Sequence, residues 1–124
     1  MPWHVRPLPS GPIIEAVFLG VVTAAEIRDG MEAAAALGET AGSPRILADC
    51  TRIEEAPSVG ELYFLAGELV AHEVVHRIKS AFVIATATRV AEAMRFWETT
   101  CNNWAIPAKT FTDRASALAW LLQP

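Results

Sequence analysis

Two groups of residues in this chain have the types and spacing to do chemistry. His72-Glu73-Val74-Val75-His76 spells HExxH, the arrangement in which two histidines on one helix face hold zinc and the glutamate acts as general base. A zinc hydrolase also needs a third protein ligand and an open position for water. Glu92 stands at a separation from His72 that suits the third ligand, whereas no HxxGxxH extension follows His76. The second group is Asp49, Thr51, Arg52, Ser58, Thr86, Thr88, Arg89 and Asp113, polar residues that punctuate apolar segments. Brought together, they could hold an anion, a phosphorylated side chain or a partner's carboxylate.

Neither group acts unless the fold assembles it. The chain has 124 residues, 52% of them hydrophobic and 19% charged, which fits one globular domain over 1–124 with a single real core. The net charge is −4 and the ten Lys and Arg are scattered singly, so a nucleic-acid binder is not expected. The start, MPWHVRPLPSGP, does not read as a signal peptide, and no apolar run approaches the roughly 20 residues of a spanning helix. Cys50 and Cys101 lack CxxC spacing. The expected setting is a reducing bacterial cytoplasm.

The pattern along the chain predicts strands over 3–8 and 13–19, joined by the turn Pro9-Ser10-Gly11-Pro12, with Gly20 ending the second. Thr23 and Glu26 form a capping-box pair, and Ala24, Ile27, Met31, Ala34 and Ala35 follow at helical spacing until Gly38, Gly42 and Pro44 stop the helix. A short strand over 45–50 leads through a loop, 51–57, to Ser58, the expected N-cap of a second helix. That helix carries Val59, Leu62, Tyr63, Ala66, Leu69 and Val70 on one face. The run SAFVIAT over 80–86 reads as a parallel strand buried on both faces. A third helix aligns Val90, Ala93, Met94, Trp97 and Cys101 and ends near Asn102-Asn103. A strand over 109–111 and a helix over 114–122, capped by Thr112 or Asp113, complete the chain.

The order ββαβαβαβα predicts an α/β fold: a mixed, mainly parallel five-stranded sheet with four helices. In such a sheet the loops after the carboxyl ends of the parallel strands collect at one edge, where ligands tend to sit. The second polar group falls there, together with three helix N-termini that favour anions. Cys101, at the end of the third helix, falls at the opposite edge from Cys50, so no disulfide is expected. HEVVH falls where the second helix must give way to a strand, with His72 in the last helical turn and His76 approaching the strand. The β-branched pair Val74-Val75 weakens helix there, and histidines near a helix C-terminus have a structural reason to be present. The expectation is therefore no metal site at His72, Glu73 and His76, and no cofactor. No residue pair at the polar edge forms an evident nucleophile and base, so the chain is not expected to be an enzyme.

The segments RILADCT, APSVGELYFLA, FWETTCNNW and KTFTDRASALAWL resemble the SpoIIAA-like family of STAS-type domains across essentially the whole chain. The pattern F-x-D-x-x-x-A-L-x-W-L, carried by Phe111, Asp113, Ala117, Leu118, Trp120 and Leu121, is its most specific part. The resemblance implies a small α/β domain used for binding and regulation, without established enzymatic chemistry. In the anti-sigma-factor antagonists of that fold, a serine at the start of the second helix is phosphorylated within D-S-S-G-L-G. The matching position is Ser58, but Ala56-Pro57-Ser58-Val59-Gly60 does not reproduce the motif, and an N-cap is the plainer role.

Phe64 and Phe96 depart from the buried stripes of their helices. A second packing layer accounts for them; so does a dimer interface, a partner surface or an apolar-ligand cleft. Two functions follow as expectations. The first is a non-catalytic binding or regulatory module that meets a protein partner through the edge holding Ser58, Asp49, Thr51, Thr86 and Arg89, or through the Phe64 face. The second is a carrier or sensor of a small apolar, lipid-like ligand, working with peripheral membrane contact and seated between the second and third helices.

Overall fold

The computed structural model describes residues 2–9, 11–42, 44–86 and 88–123; the side chains of Ala41, Glu73 and Val74 lie outside the described residues. The chain runs β1 (Trp3–Pro7), β2 (Ile14–Val21), α1 (Ala24–Ala41), β3 (Arg45–Glu55), α2 (Val59–Leu69), a 3-10 helix (Glu73–His76), β4 (Lys79–Val83), α3 (Arg89–Asn103), β5 (Ala108–Phe111) and α4 (Arg114–Leu121). One sheet takes all five strands in chain order. β1 is antiparallel to β2, and every later pair is parallel. This is the expected ββαβαβαβα fold.

Alternation along the strands divides the core in two. Ile46, Ala48 and Cys50 of β3 join Phe18, Phe82, Leu62, Met94 and Trp97 in the larger core, roofed by α1, α2 and α3. Leu47 of β3 faces the other way, into a smaller core with Ala81, Val83, Ala117 and Leu121 under α4. A strand covered on both faces is mostly apolar, and 80–84 is buried at every position, with Ser80 its one polar residue. Fully burying side chains such as Phe18, Phe82 and Leu47 stabilises the fold by about 1.5–3 kcal/mol each.

Basic side chains from the sheet finish α4. Arg45 Nε donates to the Leu121 carbonyl at 2.6 Å, and Lys79 Nζ donates to the carbonyls of Trp120 and Gln123. These are carbonyls that the helix end leaves open, and positive charge there also suits the helix dipole. At the other end of α4, Glu15 of β2 is 4% exposed and joins Arg6 of β1 at 2.9 Å to Arg114 at 2.6 Å.

Several boundaries differ from the sequence reading. β3 does not stop at Cys50 but runs to Glu55, because β2 continues beside it as far as the pair Val21↔Glu55. The polar letters of Thr51–Glu55 suggest a loop, yet a parallel neighbour supplies the hydrogen bonds that composition does not, and Ile53 stays buried. Gly20 does not end β2; it sits inside the strand at a register shift, with φ 72°. Gly38 lies within α1, which closes at Gly42, where a left-handed φ of 72° turns the N–H back to Glu39 and Gly38. β4 ends at Val83 rather than at 86. The buried face of α2 is Leu62, Leu65 and Ala66, leaving Val59 and Tyr63 exposed. The hairpin turn includes Ser10, outside the described residues; Leu8 N–H to Ile13 O at 2.9 Å closes it.

Candidate functional site: a polar rim and an apolar cavity

At the carboxyl ends of the strands, the predicted polar residues serve local structure. Ser58 Oγ accepts from Glu61 N at 3.2 Å, while Glu61 Oε1 accepts from Ser58 N at 3.1 Å and from Ser58 Oγ at 2.9 Å. That is a complete capping box, matched by Thr23 and Glu26 on α1. Thr88 Oγ1 caps α3 by accepting from Ala91 N at 3.0 Å. Asp113, not Thr112, caps α4 through Ser116, and those hydrogen bonds hold its carboxyl below the usual range. Asp49 accepts from both Thr51 N–H and Thr51 Oγ1. Arg52 and Thr86 are exposed, the former within β3 rather than in a loop.

Only part of this set meets in one place. Ser58 and Arg89 line a cleft of 370 Å³, but the same cleft is walled by Glu54, Glu55 and Glu92. Three carboxylates against one guanidinium make it a poor anion site by simple Coulomb count. Asp49, Thr51, Thr86 and Asp113 do not line it.

The HEVVH stretch has no continuous helix. α2 stops at Leu69, so His72 follows the helix instead of occupying its last turn, and 73–76 form a 3-10 turn. His76 Nδ1 lies 2.9 Å from the Ala105 carbonyl and its Nε2 lies 2.9 Å from the Val70 carbonyl. A metal needs a free imidazole lone pair, and both nitrogens are engaged here. Glu92 lines the cleft beside Ser58, away from His72. Among the described residues, no group of three His, Cys, Asp or Glu is placed to hold a metal ion.

A different feature occupies the opposite rim, at the amino ends of the parallel strands. A cavity of 160 Å³ has Ile46, Ser80, Phe82 and Ala108 of β3, β4 and β5 as its floor. Met31 and Ala35 of α1, Leu69 of α2 and Trp97 and Cys101 of α3 form its walls; Val75, Ile78 and Ile106 come from the connecting segments. Arg28, Glu32, His72 and the buried Cys101 thiol are the charged or titratable groups lining it. The lining is mostly apolar, yet the Trp97 Nε1–H, on a side chain only 3% exposed, is sealed from solvent with no acceptor among the described residues. A buried donor left in that state costs about 1–3 kcal/mol.

The sequence suggested the space between the second and third helices as a place for an apolar guest but did not point to these residues. Six separate elements contribute the walls, and the only local signal is Trp97, which reads equally well as core. Phe96 is half-buried and packs on the larger core, so it belongs to the second layer. Phe64 is 70% exposed and projects from α2 beside exposed Val59 and Tyr63. Tyr63 in turn packs against Trp104, ring centroids 5.4 Å apart. Both cysteines are free and buried; burial pushes Cys101 up to about 12 and, with the neighbouring Asp49 charge, raises Cys50 further. No helix among the described residues is long and apolar enough to cross a membrane.

No family model matches the chain, and no curated protein matches it either. Among solved structures, it is similar to an uncharacterized protein of the DUF3478 family with a SpoIIAA-like fold from Shewanella loihica. The identity is 19%, the TM-score is 0.54, and the match covers 96% of this chain and 91% of that one. The fold is thus SpoIIAA-like, as the sequence resemblance implied.

Proposed function

We propose that this domain works by binding rather than by catalysis, and that its ligand is a small apolar molecule held in the cavity between α1, α2, α3 and the sheet. The observation that carries this reading is a mostly apolar cavity whose wall includes the Trp97 side chain, with the Trp97 Nε1–H buried behind that wall and without an acceptor among the described residues. A dry apolar cavity of about 150 Å³ accepts a benzene ring, so the buried part of the ligand is about one aromatic ring or a short branched acyl group. An acceptor oxygen on it, such as a carbonyl, would pair with the indole N–H once a small shift of the cavity wall uncovers that buried atom.

Non-catalytic action is supported by the described nucleophiles. Neither buried thiol is available as thiolate near neutral pH, and His76 has both ring nitrogens engaged. Fluorine NMR with para-fluoroacetophenone and para-fluorotoluene tests the reading. The ketone should bind the wild-type protein more tightly, and Trp97→Phe should remove that preference, about fivefold, while leaving the hydrocarbon bound. Absence of binding by both probes, with native mass spectrometry showing only the bare chain, overturns it.

A second reading, a protein partner on α2, is favoured by the exposed Val59, Tyr63 and Phe64, because aromatic patches in water mark contact surfaces. Capture of the same partners by wild type and by a Phe64→Asp, Ser58→Glu double variant counts against it. Concentration-dependent light scattering abolished by Phe64→Asp would instead identify the partner as a second copy of this chain, and vesicle co-sedimentation would identify a membrane surface.

A further inference from the structure

We propose that His76 is a latch on the cavity, holding the α2–β4 connector closed as an imidazolium and releasing it when one ring proton leaves. The inference rests on the cavity reading above and adds to it how the site opens. Each ring nitrogen faces a backbone carbonyl, Nε2 that of Val70 and Nδ1 that of Ala105, at 2.9 Å each. A carbonyl can only accept, so each ring nitrogen must donate, and only the doubly protonated ring does both. Neutral imidazole keeps one N–H and loses one of the two bonds.

The geometry ties this bond pair to the cavity. Each of the three points joined by the ring adjoins a cavity-lining side chain: Val70 follows Leu69, His76 follows Val75, and Ala105 precedes Ile106. The latch therefore pulls three walls, from α2, the connector and the α3–β5 loop, toward one another. Val70 also caps α2, where carbonyls carry the negative end of the helix dipole and favour a cation. Ala105 is the one described non-glycine residue with positive φ, at 58°, a conformation that L side chains adopt only when surroundings impose it. A charge-assisted bond to its carbonyl is one such imposition.

The charged and titratable groups on the surrounding elements are few. α2 carries Glu68 in its last turn, and the connector itself carries His72, Glu73 and Arg77. α1 brings Arg28 and Glu32 to the cavity, α3 carries Glu98 on its last turns, hydrogen-bonded to Thr110, and the Trp104–Pro107 loop brings none. The sign follows from the form that is bound. Only the doubly protonated ring satisfies both carbonyls, so the latch is complete in acid and is lost when a ring proton leaves as pH rises.

Amide hydrogen exchange of the 70–78 connector, corrected for intrinsic base catalysis, is read at about pH 5.5 and about pH 8. Protection should fall about tenfold at the higher pH in the wild type and show no such pH dependence in His76→Gln. Equal protection at both pH values, or the same pH dependence in His76→Gln, overturns the latch. Exchange of para-fluoroacetophenone, followed in parallel by fluorine NMR, should accelerate with the same midpoint as connector opening. Exchange that is insensitive to pH while the probe binds also overturns it. If no probe binds, the cavity reading falls, and the amide data alone decide whether the latch stands.

Discussion

The two rims of the sheet are made of opposite materials. At the carboxyl ends of the parallel strands, hydroxyls and carboxylates crowd together, and the capping groups among them already have partners: Ser58 with Glu61, Thr88 with Ala91, Asp113 with Ser116, Asp49 with Thr51. At the amino ends there is little polarity, but a cavity and, behind its wall, an indole N–H without an acceptor among the described residues. Ser58, Thr88 and Asp113 look chemical on paper but are there because helix ends require them. On the cavity proposal, unmet hydrogen-bonding capacity rather than polar composition marks the rim that takes a ligand. The proposed site would reverse the usual arrangement of open α/β sheets, in which ligands sit beyond the carboxyl ends of the strands.

The largest effect that would break this contrast is expected at the cavity floor. Phe82→Ala should lower stability by about 3–5 kcal/mol in urea denaturation, since Phe82 is fully buried and its loss enlarges an existing void. A loss below about 1 kcal/mol would mean that the walls collapse readily and that the cavity is not a fixed feature.

Glu15→Gln comes next, at about 1–3 kcal/mol near neutral pH, because two guanidiniums bind a buried carboxylate. Burial alone would raise this carboxyl, but the hydrogen bonds and charges of Arg6 and Arg114 outweigh it and hold the group below its ordinary value. A depressed value means that the contribution is present above the unfolded carboxyl's range and fades as pH falls through the folded one. The stability gap between wild type and variant should therefore close on acidification; a gap constant with pH contradicts the ionised pairing.

Smaller effects sharpen the reading of the polar rim. Ser58→Ala should cost about 1 kcal/mol in thermal unfolding, and Ser58→Asp only a few tenths, because aspartate caps as well as serine. Equal costs for the two would show that the hydroxyl does more than cap. Phe64→Asp should change stability by less than about 0.5 kcal/mol, as expected for a side chain in water. A larger loss would place Phe64 in the packed structure and remove it as a contact surface.

What the sequence disclosed follows the range of the interactions involved. The capping boxes at Thr23 and Ser58 were legible because donor and acceptor lie three residues apart. The α3 stripe of Val90, Ala93, Met94, Trp97 and Cys101 was legible because one face of one helix carries it, and all five are buried. α2 misled because Val59 and Tyr63 are apolar by type yet point outward. Thr51–Glu55 misled because a strand edge paired to β2 overrides local polarity. The latch was beyond reach: the two carbonyls of His76 are 6 and 29 residues away, and nothing in HEVVH announces them.

The strand order has a consequence for how the chain is made. Since the strands are laid down in the order in which they occur along the chain, each finds its partner already synthesised, and none waits for a later strand to fill a gap beside it. Pairing between successive strands keeps loop closures short, which favours rapid folding and shortens the time that hydrophobic surface stands open. Only α4, the final helix, must return over β3, β4 and β5, and it does so to cover the smaller core with Ala117 and Leu121. A nascent chain halted before Arg114 would hold all five strands with one apolar face bare, so the eight residues of α4 set the moment at which that face is shielded from neighbouring chains.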